Sequence, residues 1–193
     1  PTYGAVSRSG LIAMGSSLDQ IGPLTKSVGD AEILFEALRG EDPLDSTTLP
    51  DKIYLEARKA AGKQKQTIGV PWHFMQEGVA ADVLDNFKAA LKRFEEVGFS
   101  IQEIELPNIA YSLPVYYIIM PAEVSTNLAR YDGIRYGLHV EGNGQGGNRA
   151  SVWDDIALSR GSGFGTEVRR RILLGTYVLS AGYYDAYYIR ANM

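Results

Sequence analysis

"QTIGVPWH" (Gln66–His73), "VAADVLDNFKAALKRFEEVG" (Val79–Gly98) and "FSIQEIELP" (Phe99–Pro107) follow one another with only a short link between the first two. The first segment reads as a strand. The second sets Val83, Leu84, Phe87, Leu91, Phe94 and Val97 on one stripe at the helical period and ends at Gly98. The third alternates apolar and polar residues, as a strand with one covered face does. Strand, helix and strand with short connections predict a parallel pair with a right-handed crossover, and hence an α/β fold. This stretch is scaffold.

Upstream, "VSRSGLIAMGSSLD" (Val6–Asp19) carries a short apolar run edged by glycine and serine, which predicts a buried strand feeding a loop. Asp19 there reads as a turn or cap residue rather than an acid catalyst. Ser27 is placed to cap a helix, with Asp30 three residues on to answer the helix dipole. Val28, Ala31, Leu34, Phe35 and Leu38 form its apolar face, and Gly40 is its stop. "RGEDPLDSTTLPDK" (Arg39–Lys52) is turn chemistry throughout.

Downstream, "SLPVYYIIMPAEVSTNLARYDG" (Ser112–Gly133) predicts a helix with Ser112 as its cap and Pro114 in its first turn. Pro121 lies well inside the pattern, removes the hydrogen bond that the Tyr117 carbonyl would accept, and predicts a kink. "EGNGQGGNRA" (Glu141–Ala150) reads as a mobile surface loop; it lacks the preceding strand and the lysine of a nucleotide-binding loop. "EVRRRILLGTYVLSAGYYDAYY" (Glu167–Tyr188) is one helix, or two meeting near Gly182.

The totals narrow the function. A chain of 193 residues with 45% hydrophobic and 22% charged side chains suits one globular domain or a large piece of one. A net charge of −4 gives no support to a protein that coats nucleic acid. With no cysteine, disulfides, thiolate catalysis and sulfur-ligated zinc are excluded, and His73 and His139 are too few and too scattered for a metal cluster. No apolar run reaches the roughly 18 residues of a membrane span. The chain opens on "PTYG" and stops inside a helical pattern at Met193, which suggests a fragment.

Arg171 is the informative residue. On a helical wheel Arg169 and Arg170 fall on the flanks, whereas Arg171 points with Val168, Leu174, Val178 and Leu179 toward the side expected to be buried. An unpaired buried guanidinium costs several kcal/mol, on the order of 3–5, so an anion should meet it. One reading is a structural ion pair with an acid elsewhere in the fold; the other is a donor fork presented to a ligand's carboxylate. Gly175 and Gly182, on nearly the same line, leave room for a ligand or for a close backbone. Tyr116 and Tyr117 precede the expected kink by one turn, either as core packing or as phenols that hydrogen-bond a polar substrate. "YYDAYY" (Tyr183–Tyr188) reads as packing rather than a stacking platform, because its tyrosines go around the whole helix.

Three blocks resemble the amidase signature family: "PTYGAVSRSGLIAMGSSLDQIGPLTKSVGDAEILFEALRGEDPLDSTT", "YYIIMPAEVSTNLARYDGIRYG" and "GFGTEVRRRILLGTYVLSAGYYDAYY". The first resembles the family broadly. The other two are similar in particular to the A subunits of the tRNA-dependent amidotransferases. The resemblance implies a mixed β-sheet flanked by helices on both faces, here in part. It implies a glutaminase subunit that releases ammonia through a Lys–Ser–Ser triad. That ammonia converts glutamate on tRNA(Gln), or aspartate on tRNA(Asn), to the amide. The implied partners are a B subunit, which uses ATP and Mg²⁺ and handles the mischarged tRNA, and a small stabilising C subunit. No cofactor is implied in this subunit, and its compartment would be bacterial cytoplasm or an organelle, away from membranes.

Such a triad would let a lysine relay a proton from a bridging serine while a second serine attacks the carboxamide. None of the three residues is in this chain. The lysine and serines are expected upstream and the acid that meets the glutamine amino group downstream, so residues 1–193 would be the central portion of a single amidase domain, inactive alone. Residue by residue, the resemblance carries over Arg171, last of "RRR", as the grip on the glutamine α-carboxylate, and Tyr116, first of "YYII", as a pocket tyrosine. It favours the ligand reading of Arg171. A stand-alone amidase and a non-catalytic interaction domain are the competing readings.

Overall fold

The computed structural model describes residues 2–61, 66–75, 78–142 and 151–193. The chain forms two compact units, one from residues 1–48 and 112–193 and the other from residues 49–111.

In the second unit, β1 (Thr67–Val70) and β2 (Ser100–Glu103) pair in parallel, Ile68 opposite Ile101 and Val70 opposite Glu103. The helix between them is α3 (Ala81–Glu96). The strand–helix–strand expectation holds, and the class is α/β. The sheet has two parallel strands among the described residues, where the resemblance implied a larger mixed one. Val70 and Leu91 are buried, and Trp72 meets Phe87 edge-on at 6.0 Å. Gly69 makes space for Ile104, whose Cδ1 would lie 2.8 Å from any Cβ added there. A further helix, α2 (Asp51–Ala61), starts within the run read as turns.

The first unit begins with a correction. Residues 7–19 form turns, not a strand; Val6 makes a single antiparallel bridge to Arg39, and Ile12 is exposed. The physical reason is that no strand among the described residues pairs with it, and its backbone is bound instead by side chains from distant segments. α1 (Val28–Leu38) is capped as expected, Ser27 Oγ accepting from the Asp30 N–H at 3.1 Å. It ends before Gly40, whose φ of +144° suits glycine. No residue of α1 is fully buried: Val28, Leu34 and Leu38 of its apolar face are exposed, and Ala31 and Phe35 are half-buried.

α4 (Ser112–Asn127) runs on through Pro121. Ser112 is its first residue, and the 3₁₀ turn Ile109–Tyr111 leads directly into it. A second 3₁₀ turn, Leu128–Arg130, follows. α5 (Val152–Gly163) is closed by a capping box in which Ser151 and Asp154 each accept from the other's backbone N–H. α6 (Thr166–Val178) and a π-helical segment (Tyr184–Ile189) are the two helices expected around Gly182, whose φ is +86°.

Met120, Val124 and Leu128 form the buried core of this unit, with Tyr131, Phe164, Val168 and Ile172 packed against them. The α4–α6 seam is tight at one point. A Cβ at Gly175 would fall 1.8 Å from the Pro121 carbonyl oxygen, so Gly175 serves a close backbone approach rather than a ligand. Leu174, expected on the buried side, is 39% exposed; the seam instead runs along Val168, Ile172, Gly175 and Val178. The tyrosines of the last helix are not interior packing either. They stack in pairs, Tyr183 on Tyr187 at 6.0 Å and Tyr184 on Tyr188 at 5.3 Å, with Tyr183, Tyr184 and Tyr187 exposed and Tyr188 half-buried. The loop expected at Glu141–Ala150 lies outside the described residues from position 143 onward.

Candidate functional site

α4 and α6 bring Tyr116 and Arg171 together across 55 residues of sequence. Arg171 Nη1 donates to Tyr116 Oη at 2.9 Å, and the guanidinium carbon stands 5.9 Å from the ring centroid. On the other side, Arg171 Nε donates to Glu167 Oε1 at 2.8 Å. Nη2 makes no hydrogen bond among the described residues. Because the Tyr116 oxygen accepts from the guanidinium, its own O–H stays available to a further acceptor. The site therefore offers two donors side by side, which suits a carboxylate.

The Arg171 side chain is 24% exposed, against 56% for Arg170. It is sheltered, not fully buried, so its desolvation cost is correspondingly smaller. An acid does pair with it, though not one from elsewhere in the fold: Glu167 lies one turn back on the same helix and is 55% exposed. The same carboxylate takes a fork from Arg170, with Nε on Oε2 and Nη2 on Oε1, both at 2.9 Å. These bonds, from Arg170 first and Arg171 next, hold the Glu167 carboxyl down to about 2. The Arg171 guanidinium is pushed up, by the bond to Tyr116 and then by Glu167. Tyr117 is not on Arg171; it meets the Tyr116 ring edge-on at 5.3 Å.

A second polar cluster has no local signal in the sequence. Glu123 of α4 accepts from the Ser17 N–H at 3.1 Å and from the Ser17 hydroxyl. Asn127, buried, donates to the Met14 carbonyl and to Ser16 Oγ, each at 3.2 Å. Arg8 bonds the Ser16 carbonyl and Thr47, and its backbone N–H donates to Asp45 Oδ2 at 2.8 Å. That bond and two from Thr47 hold the Asp45 carboxyl well below the usual range. Asp19 accepts from the N–H groups of Met14 and Gly15, the turn role expected of it. These residues fix the shape of the segment 14–19. The long reaches among these bonds, 37 residues from Arg8 to Asp45 and 113 from Asn127 to Met14, are ones no spacing rule could find.

Among the described residues no group of three His, Cys, Asp or Glu side chains is placed to hold a metal ion, and no helix is long and apolar enough to cross a membrane.

Known proteins bear on this arrangement. Residues 1–193 match the family described as Amidase. The A subunit of glutamyl-tRNA(Gln) amidotransferase from Roseiflexus sp. (strain RS-1) is 48% identical over 196 residues, covering 100% of this chain and 38% of that protein. The protein of the same name from Moorella thermoacetica is 48% identical over 193 residues, covering 99% and 38%. The crystal structure of the glutamyl-tRNA(Gln) amidotransferase A subunit from Thermotoga maritima superposes with a TM-score of 0.60 at 35% identity, covering 99% of this chain and 35% of that one. Native peptide amidase from Stenotrophomonas maltophilia has a TM-score of 0.59 at 24% identity over 97% of this chain and 37% of its own, a likeness of fold alone. The chain thus spans about 38% of the length of the curated relatives it matches. With the family matched over residues 1–193 and the fold shared with solved relatives, this chain belongs to the amidase family.

Proposed function

We propose that this chain is the glutamine-gripping portion of the A subunit of a tRNA-dependent amidotransferase, the subunit that hydrolyses glutamine and passes on its ammonia. One observation carries the reading: Arg171 and Tyr116 lie hydrogen-bonded at 2.9 Å, with Nη2 and the phenol O–H left as donors. The relatives named as A subunits of glutamyl-tRNA(Gln) amidotransferase support the same choice, at nearly half identity over the whole of this chain. In this reading Arg171 takes the α-carboxylate of glutamine and Tyr116 a second oxygen of it. Residues 1–193 are the central part of one amidase domain. The Lys–Ser–Ser triad lies before them in the longer protein, and the contact to the amino group after them.

The ammonia then serves glutamate or aspartate mischarged on tRNA. ATP and Mg²⁺ belong to the B subunit, a C subunit steadies the pair, and the assembly works in the cytoplasm or an organelle. The test is glutamine hydrolysis by the full-length enzyme. Arg171→Ala should raise KM for glutamine by about 100-fold, as loss of a charge-assisted hydrogen bond does, and leave the fold intact. An unchanged KM would remove Arg171 from the pocket.

A further inference from the structure

Why Arg170 stands beside Arg171 is not explained by Arg171 gripping a ligand. The answer lies in the order of the bonds. Glu167, Arg170 and Arg171 sit on one helical face at i, i+3 and i+4. Arg170 binds both oxygens of Glu167 in a fork, which fixes the carboxylate plane. Oε1 of that fixed carboxylate then takes the Nε–H of Arg171. A guanidinium held at Nε can no longer swing about its stem, and its Nη end is left facing Tyr116.

We propose that Glu167, braced by Arg170, is a positioning residue that sets the Arg171 guanidinium so that its Nη end, beside Tyr116, receives the ligand carboxylate. The proposal rests on the glutamine reading above. It makes a prediction opposite in sign to simple electrostatics. A carboxylate beside Arg171 partly neutralises it, so removing Glu167 should strengthen the pull on an anionic ligand if charge alone mattered. If orientation matters more, removal should weaken binding, because the long Arg side chain regains rotamers that must be lost again on binding.

The experiment is steady-state glutamine hydrolysis by the full-length enzyme carrying Glu167→Ala, Glu167→Gln, Arg170→Ala or Arg171→Ala. Glu167→Ala should raise KM roughly five- to tenfold with kcat within about twofold, the pattern of lost ground-state binding. Glu167→Gln removes the same charge but keeps an acceptor for Nε, so its KM should return to within about threefold of the parent. Arg170→Ala should fall between them. A KM for Glu167→Ala that is unchanged or lower overturns the proposal, as does an equal loss in the Ala and Gln variants. Should Arg171→Ala itself leave KM unmoved, the pocket reading fails first. A normal Arg171→Ala defect with silent Glu167 and Arg170 variants sinks the positioning role alone.

Discussion

Tyr116 tests the site at the scale of one atom. Its oxygen accepts from Arg171 Nη1, and the ring lies edge-on against Tyr117. Tyr116→Phe keeps the ring and deletes the oxygen. KM for glutamine should rise about three- to tenfold, the effect of one hydrogen bond of about 1 kcal/mol, and stopped assays across glutamine concentrations would read it. Glu167 gives a pH signature. Its carboxyl is held below its ordinary 4.5, to about 2, by Arg170 and then Arg171. A depressed folded value means that the stabilisation is whole above about 4.5 and fades as pH falls toward about 2. The melting-temperature gap between the parent and Glu167→Gln should close across that window; a gap independent of pH would break the link. Arg171 was legible from the helical wheel because a helix fixes direction. Its partner Glu167 is spaced for an i, i+4 bond, yet its fork with Arg170 depends on rotamers that spacing does not set.

At the level of helices and strands, periodicity located what is locally determined. β1, α3 and β2 stand where the alternation and the apolar stripe put them, and the Ser27 cap forms as its side chain requires. Ser27→Ala should cost about 1 kcal/mol in urea unfolding. The start of α2 was hidden by the turn-forming residues before it. α5 carries a local signal of its own, a serine followed three residues later by an acid, Ser151 and Asp154. The stretch 7–19 misleads because its apolar residues imitate a strand while its backbone bonds go to Asp45, Glu123 and Asn127. The α4–α6 seam was half legible: the two glycines left open either a ligand or a close backbone, and only packing shows that Gly175 meets the Pro121 carbonyl while nothing lies close to Gly182. Gly175→Ala should therefore destabilise by about 3 kcal/mol, at the upper end of overpacking, because a backbone atom cannot be trimmed away. Gly69→Ala, which strikes the Ile104 side chain, should be restored in part by a second change, Ile104→Val. Paired unfolding curves separate the two cases.

Seen whole, the chain keeps much apolar surface in the open. Val28, Ile33, Leu34 and Leu38 of α1 are all exposed, as are Tyr183, Tyr184 and Tyr187 at the other end. Patches of this kind in a soluble protein mark surfaces that another chain or segment covers. Residues 1–193 produced alone should self-associate at micromolar concentration; a monodisperse 21.1 kDa species in light scattering would contradict this. The two units also differ in how their chain is laid down. Residues 49–111 make one unit from a continuous stretch, whereas the other needs residues 1–48 to meet 112–193. As the ribosome delivers the polypeptide from its amino end, the early turns around Ser17 emerge some hundred residues before Glu123, 106 positions later, exists to receive them. Nascent chains stalled short of α4 should hence be cut by protease before Asp19 and spared within α3.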